Sequence, residues 1–280
     1  MSRLRRQCTL DRPRSVRLRP AVLGALQLTI LCIAAACQSA ASTTFRDAGA
    51  ERQTFDVPTL DGASAGYALS FNGVAYATAG DGGFAPVSSN QTLEMWVNCA
   101  DVLGTQDFLV LRSDLTSGVQ IGIHAGALAV WRVYVDRVLV QAPTTPAPNS
   151  WHHVAYPFDA VTSVLYVDGV MVDAEALPTD SHTPTSAWLG TIDGSNNLFK
   201  GELDEVRIWS VTRSASEVVA DMQHSSGPGQ TGLVAYWTFD DADNGGISRD
   251  LSGMGNDVTL GDGFVAWMPK RVPSAIPFGH

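Results

Sequence analysis

From Gly66 onward, apolar and polar residues alternate with a period of two, in short runs separated by Gly, Asn, Asp and Pro. Such alternation places successive side chains on opposite faces of a strand. "YALSF" and "VAYATA" flank Asn72-Gly73, and "VLYV" and "VMV" flank Asp168-Gly169. Both pairs are hairpin signals, since these residues tolerate positive φ. Further strands are predicted at "TLEMWVN", "DFLVLRS", "VQIGIHA", "LAVWRVYV", "HHVAYPF", "AWLGTI" and "GELDEVRIW". Many short strands joined by turn residues predict an all-β fold, an antiparallel sandwich or jelly roll. One helix is predicted near 214–224, where Ser214 and Glu217 form a capping-box pattern ahead of "VVADMQ", and "SSGPG" ends it. The stretch from Gly232 to Leu260 is strand-like again but too short for a second sandwich of about 100 residues. Residues 230–268 are therefore expected to complete one domain spanning 67–268, with 269–280 as a tail.

The N-terminal part reads differently. Arg3, Arg5, Arg6, Arg12, Arg14, Arg17 and Arg19 precede an uncharged apolar run from Ala21 to Cys37, so 1–36 is read as an export signal. "AAAC" at Ala34–Cys37 resembles the lipobox of bacterial lipoproteins, in which the cysteine carries the lipid. Cleavage after "AAA" to release a free protein fits the same residues. The lipobox reading makes Cys37 a lipidation site and the one route to a membrane. Residues 37–66 are rich in Ala, Ser, Thr and Gly, which suits a flexible spacer.

Removing that signal removes Cys8 and Cys32, so Cys99 is the one cysteine within the domain and no internal disulfide can form. In phase with Leu93, Met95 and Val97, Cys99 is expected to pack as a small hydrophobe. Seven arginines and Asp11 also leave, so 11 basic residues face 27 acidic ones, a formal charge of −16. That balance argues against nucleic acid as a partner and against adsorption to anionic lipid.

"ALSFNG", "LEMWV", "SWHHVAYPFD", "VLYVDGVMV", "FKGELDEVRIWSVTRSASEV" and "GLVAYWTFDD" stand in the order and spacing of laminin-G-like jelly-roll domains. The chain thus resembles the laminin-G-3 type of the concanavalin A-like lectin/glucanase superfamily over about residues 67–260. The resemblance implies a concanavalin A-like jelly-roll β-sandwich. It also implies that an Asp of the strand resembling "LDEVRIW" binds a structural calcium, which points to Asp204. Hydrolases of the superfamily carry Glu-x-Asp-x-x-Glu on a strand; here Glu202 and Asp204 share a face, but Arg207 replaces the third acid.

His152 and His153, adjacent on a strand, must face opposite sides and cannot serve one metal or one substrate. Calcium takes six to eight oxygens and favours loops rich in Asp, Asn and Gly. Besides Asp204, the loops "FDDADNGG" and "RDLSGMGND" qualify, giving Asp240, Asp250 and Asn256 as candidate ligands. Most of the seven tryptophans are expected in the core. Trp131 and Tyr134 lie on opposite faces of their strand, so one could project. The expectation is a non-catalytic, exported binding or adhesion module for a glycan or a surface protein, with calcium as its sole expected cofactor. A polysaccharide-active glycoside hydrolase or lyase is the alternative.

Overall fold

The computed structural model describes residues 66–80, 90–113, 118–132, 137–176, 184–241 and 246–277. The signal, Cys37, Tyr134 and all of the spacer but Gly66 lie outside them. Two antiparallel sheets form a sandwich.

Sheet A contains β1 (Tyr67–Asn72), β3 (Gln91–Cys99), β8 (Trp151–Phe158), β9 (Thr162–Val167), β10 (Val170–Ala176), β12 (Lys200–Trp209), β13 (Leu233–Trp237) and β16 (Lys270–Pro273). Its order is β10-β9-β8-β3-β12-β1-β16, with β13 also paired to β12. Sheet B contains β2 (Ala77–Ala79), β4 (Gln106–Arg112), β5 (Gly118–His124), β6 (Ala127–Arg132), β7 (Arg137–Gln141), β11 (Ser186–Leu189), β14 (Ile247–Ser248) and β15 (Val258–Leu260). Its order is β14-β15-β2-β11-β4-β5-β6-β7.

The inner faces supply the core. Leu93, Met95, Val97, Leu203, Val206 and Ile208 come from sheet A, and Leu109, Leu111, Ile121, Val130 and Leu189 from sheet B. These are alternate positions along each strand, as the period-two pattern requires, except between Leu203 and Val206, where a bulge at Glu205 adds one residue. Cys99 joins this core, and burial pushes its thiol up to about 12, so it stays protonated and acts as packing.

Asp168 (φ 51°) and Gly169 (φ 74°) make the expected two-residue hairpin between β9 and β10. Asn72-Gly73 does not. β1 pairs with β12 and β16, and β2 pairs with β11 and β15, so this turn carries the chain from one sheet to the other. Asn72 Oδ1 accepts from the backbone N–H of Val74 and Ala75 (3.1 and 3.0 Å), an Asx turn that offers the same local signal as a hairpin. The expected tail also holds a strand: β16 pairs with β1 along Tyr67–Ser70 and lengthens sheet A beyond residue 268.

The predicted helix is α1 (Ala215–Gln223), with its capping box formed between Ser214 and Glu217. It lies over the β9–β10 hairpin, where a Cβ on Gly169 would come within 3.0 Å of Val219 and 3.6 Å of Met222.

Candidate functional site

The outer face of sheet B carries a row of aromatic contacts. Register places Thr78, Trp188, Val110, Gln120 and Trp131 side by side across β2, β11, β4, β5 and β6. The Arg112 guanidinium sits 4.4 Å above the Trp188 ring. Trp188 stacks on Tyr76 (5.9 Å), Tyr76 on Trp267 (6.2 Å), and Trp267 leans on Phe264 (4.9 Å).

Backbone bonds fix the far end of this row. Tyr76 N–H donates to Trp267 O (3.0 Å) and Gly261 N–H donates to Tyr76 O (2.8 Å), which clamps the turns over 261–267 onto the strand. Gly261 has φ 57°, and a Cβ there would lie 2.5 Å from the Trp267 carbonyl carbon, so the turn requires glycine. Asp262 accepts from the Tyr76 hydroxyl (2.9 Å) and the Thr78 hydroxyl (3.0 Å). Burial, then the bond to Asp262, pushes the Tyr76 hydroxyl up to about 12, so it remains a donor. The row ends in solvent: Trp267 is 43% exposed, Phe264 59% and Val265 84%. Exposed rings flanked by a carboxylate, hydroxyls and a guanidinium can stack on a flat apolar face while hydrogen-bonding its edges.

The tryptophans depart from expectation. Trp96, Trp209 and Trp237 are buried, but Trp131, Trp151 and Trp188 are half-buried and Trp267 is exposed. Trp131 stacks on His124 (5.7 Å), whose Nε2 lies 3.5 Å from Asp107 Oδ1. Burial pushes the Asp107 carboxyl up to about 7 and the His124 imidazole down.

The outer face of sheet A is covered instead. Glu94, His153, Arg207, Trp209 and Tyr236 lie there beneath α1 and its flanking chain, all nearly inaccessible. Arg207 donates to Glu205, to His224 O (3.0 Å) and to the Tyr236 hydroxyl (3.4 Å). Trp209 Nε1 donates to Glu94 Oε1 (2.6 Å). Arg213 sits over Trp209 (4.2 Å) and pairs with Asp221 of α1 (2.7 Å).

The two histidines face opposite ways, as expected. His152 Nδ1 lies 2.8 Å from Asp168 Oδ2 at the surface, while His153 is buried against Trp96 (5.5 Å) and 3.7 Å from Glu94. Asp168 is more than a turn residue, because its Oδ1 also accepts from His153 N–H (2.9 Å). "ELDEVR" is divided by a bulge at Glu205 (φ 50°). Glu202 stays on the outer face at one end, and Arg207 is sealed under α1 at the other.

The proposed calcium ligands do not form one shell. Asp204 is wholly buried and accepts from Glu205 N–H (2.7 Å) and the Ser274 hydroxyl. Asp240 accepts from Tyr67 N–H (2.6 Å). Asp250 accepts from Tyr236 N–H, Ser252 N–H, the Ser252 hydroxyl and Asn256 N–H, at 2.7–3.0 Å. Asn256 donates its side-chain amide to Val234 O (2.8 Å). These lone pairs serve protein donors, and no three Asp, Glu, His or Cys side chains among the described residues are grouped to hold a metal. The four residues as placed do not fit calcium; they tie β13, β12 and the chain ends together.

Two facing antiparallel sheets, with a helix over one outer face and aromatic rings on the other, define a lectin-like jelly roll. The chain belongs to the laminin G type 3 family of the concanavalin A-like lectin/glucanases superfamily, whose model matches residues 71–219. Among solved structures, it is similar to a candidate carbohydrate binding protein from Bacteroides ovatus ATCC 8483. They share 20% identity with a TM-score of 0.56, over 76% of this chain and 62% of that one. The chain thus spans less than two thirds of that protein's length, and at this identity the likeness shows the fold. A heptameric SAP-like pentraxin from Limulus polyphemus aligns at 13% identity and TM-score 0.49, over 70% of this chain and 94% of that one. No curated protein matches the sequence.

Proposed function

We propose that this protein is a non-catalytic, exported module that binds a glycan on the outer face of sheet B. The carrying observation is the row Trp188–Tyr76–Trp267–Phe264, in which the half-buried Trp188 and the buried Tyr76 support the exposed Trp267 and Phe264, with Asp262, Thr78 and Arg112 along the row. Sugar rings present apolar C–H faces and polar edges, so they match exposed aromatics bordered by hydrogen-bonding groups. The Bacteroides ovatus neighbour, described as a candidate carbohydrate binding protein, agrees with this reading.

The polysaccharide-active alternative is weaker. A glycoside hydrolase needs two carboxyl groups within about 10 Å across a cleft. The two carboxyls that burial raises furthest, Glu94 and Asp107, stand on different sheets, and Glu94 is sealed beneath α1. On the same proposal the chain is exported and held to the cell envelope through lipid on Cys37.

The test is calorimetric titration of the protein with neutral oligosaccharides first ranked on a glycan array, comparing wild type with Phe264→Ala/Trp267→Ala. Loss of the exposed rings should weaken the best glycan by about tenfold or more. Binding unchanged in that variant, or no glycan bound by wild type, overturns the reading. In the latter case pull-down from surface proteins becomes the next measurement.

A further inference from the structure

Helix α1 covers a carboxyl that has no cation to meet it. Glu94 is wholly buried on the outer face of sheet A. Its Oε1 accepts from Trp209 Nε1 (2.6 Å), while its Oε2 has no hydrogen-bond partner. Among the described residues, the one titratable group within ion-pair distance is His153 of β8, whose Nε2 lies 3.7 Å away and is equally buried. The nearby guanidinium groups are committed elsewhere. Arg207 of β12 donates to Glu205, to His224 O and to the Tyr236 hydroxyl of β13, and Arg213 pairs with Glu217 and Asp221 of α1. Further along the face, Tyr166 of β9 stands across from Ala155, which is the β8 neighbour of Glu94.

A buried carboxylate without a paired cation is costly, so the covered face favours the protonated acid. Burial first and the charge of Asp221 second push Glu94 up to about 8, while Arg207, the Trp209 bond and Arg213 pull the other way. Burial, then Arg207, pushes His153 down to about 3.

The cover itself is lightly attached. α1 has nine residues, and Val218 is its one buried apolar side chain. No residue of α1 belongs to the main core, and the outer face of sheet A has a small cluster of its own, Trp209, Leu233 and Tyr236 with Val211. The chain is pinned ahead of the helix, where Arg213 N–H donates to Thr92 Oγ1 (2.8 Å), and after it, where Ser226 N–H donates to the Tyr236 hydroxyl (3.3 Å). A helix this short is marginal in water without docking, so α1 can detach and fray between those pins while the core stays packed.

We propose that α1 is a pH-sensitive cover, in which loss of the Glu94 proton releases the helix from sheet A and opens the face carrying Glu94, His153, Arg207, Trp209 and Tyr236 while the sandwich stays folded. In the open form water reaches the carboxyl and Asp221 moves away from it, so opening favours ionisation and ionisation favours opening. The open population rises about tenfold per pH unit from about 6.5 to 8, where Glu94 alone of the pair titrates, and levels off above. Below about 4.5 the slope reverses, because the open form binds the His153 proton more readily. Between those limits the two slopes cancel and α1 is held most tightly. The cover acts on sheet A, so it stands or falls independently of glycan binding on sheet B.

The experiment is amide hydrogen exchange of the wild-type protein and of Glu94→Gln at about pH 6.5 and about pH 8, with each rate divided by that of unstructured peptide at the same pH. Amides of α1 from Val218 to Gln223 should be less protected than those of β4 and β5 at both pH values. Their protection should fall about tenfold or more on going to the higher pH. Glu94→Gln, which keeps the shape and an acceptor for Trp209 but cannot ionise, should abolish that fall. The proposal is overturned if α1 and the core strands share one protection factor, if α1 is equally protected at both pH values, or if the fall persists in Glu94→Gln. The first two outcomes are read on the wild type, so they decide the matter even where the variant does not fold.

Discussion

The two outer faces of the sandwich put similar residue types to opposite uses. On sheet A, Trp96, Trp209, Glu94, His153 and Arg207 are sealed under α1 and the chain that follows β16. On sheet B, Trp188, Trp131 and Trp267 keep part of their rings in solvent. Under a cover, charged and aromatic side chains are held away from water and bond to one another and to backbone, as Arg207 does with Glu205, His224 O and Tyr236 and Trp209 does with Glu94. Without one, they remain available to a ligand.

The largest expected difference follows from Arg207. Its removal in Arg207→Met leaves Glu205 buried without its cation, and chemical denaturation should show a loss of about 3–5 kcal/mol. Trp267→Ala on the other face should cost no more than about 1 kcal/mol, since half of the ring is already in water. Equal losses at the two positions would erase the distinction between the faces.

The pH dependence sharpens it further. Burial, followed by the charge of Asp221, pushes Glu94 up to about 8 from 4.5, against the pull of Arg207. Burial first and Arg207 second push His153 down to about 3 from 6.5. An acid whose folded-state pKa is raised holds its proton more tightly when folded, so stability falls as pH rises from about 4.5 through 8. A base whose pKa is lowered does the reverse, losing stability as pH falls from about 6.5 towards 3. The slopes oppose each other between about 4.5 and 6.5, where wild type should be most stable. Glu94→Gln should flatten the alkaline side by up to about 1.4 kcal/mol per pKa unit suppressed. Asp107 on sheet B, raised to about 7 by burial, should supply the remaining alkaline slope, and Asp107→Asn should remove it. Denaturant midpoints measured from pH 4 to pH 9, a range of about five units around these pKa values, check both variants. An unchanged profile in Glu94→Gln would mean that the carboxyl reaches solvent.

The smallest effect concerns calcium. Because Asp204 and Asp250 already serve protein donors, exchange of millimolar Ca²⁺ for EDTA should move Tm by less than about 1 °C. A clear rise with calcium would show that these oxygens re-form around a cation.

Much of this was legible in the sequence. Alternation placed the strands, Asp168-Gly169 turned β9 into β10, and Ser214 with Glu217 opened α1. The adjacency of His152 and His153 was enough to separate them, because neighbours on a strand must diverge. What the sequence left undecided shares a cause. Asn72-Gly73 carries the same turn chemistry whether its strands pair or part, and the local residues do not record the choice. Asp250 and Asn256 look like cation ligands because a carboxylate that gathers backbone N–H groups has the same composition as one that gathers a metal. Glu94 lacked any spacing signal, since its partner Trp209 is distant in sequence and meets it only through the β3–β12 pairing.

Sequence by itself determined most of the strands, the Asp168-Gly169 turn and which neighbouring residues share a face, because the two-residue period of extended backbone is local geometry. It set most of the inner faces as well, where alternation of apolar residues, broken at bulges such as Glu205, leaves no other place for them. Only the tertiary structure decided which outer face is sealed. Both outer faces carry tryptophan, acids and arginine, so burial depends on what returns to lie upon them. That was settled by α1 and the chain after β16 packing over sheet A, while the clamp of Gly261 and Trp267 onto Tyr76 left exposed rings on sheet B.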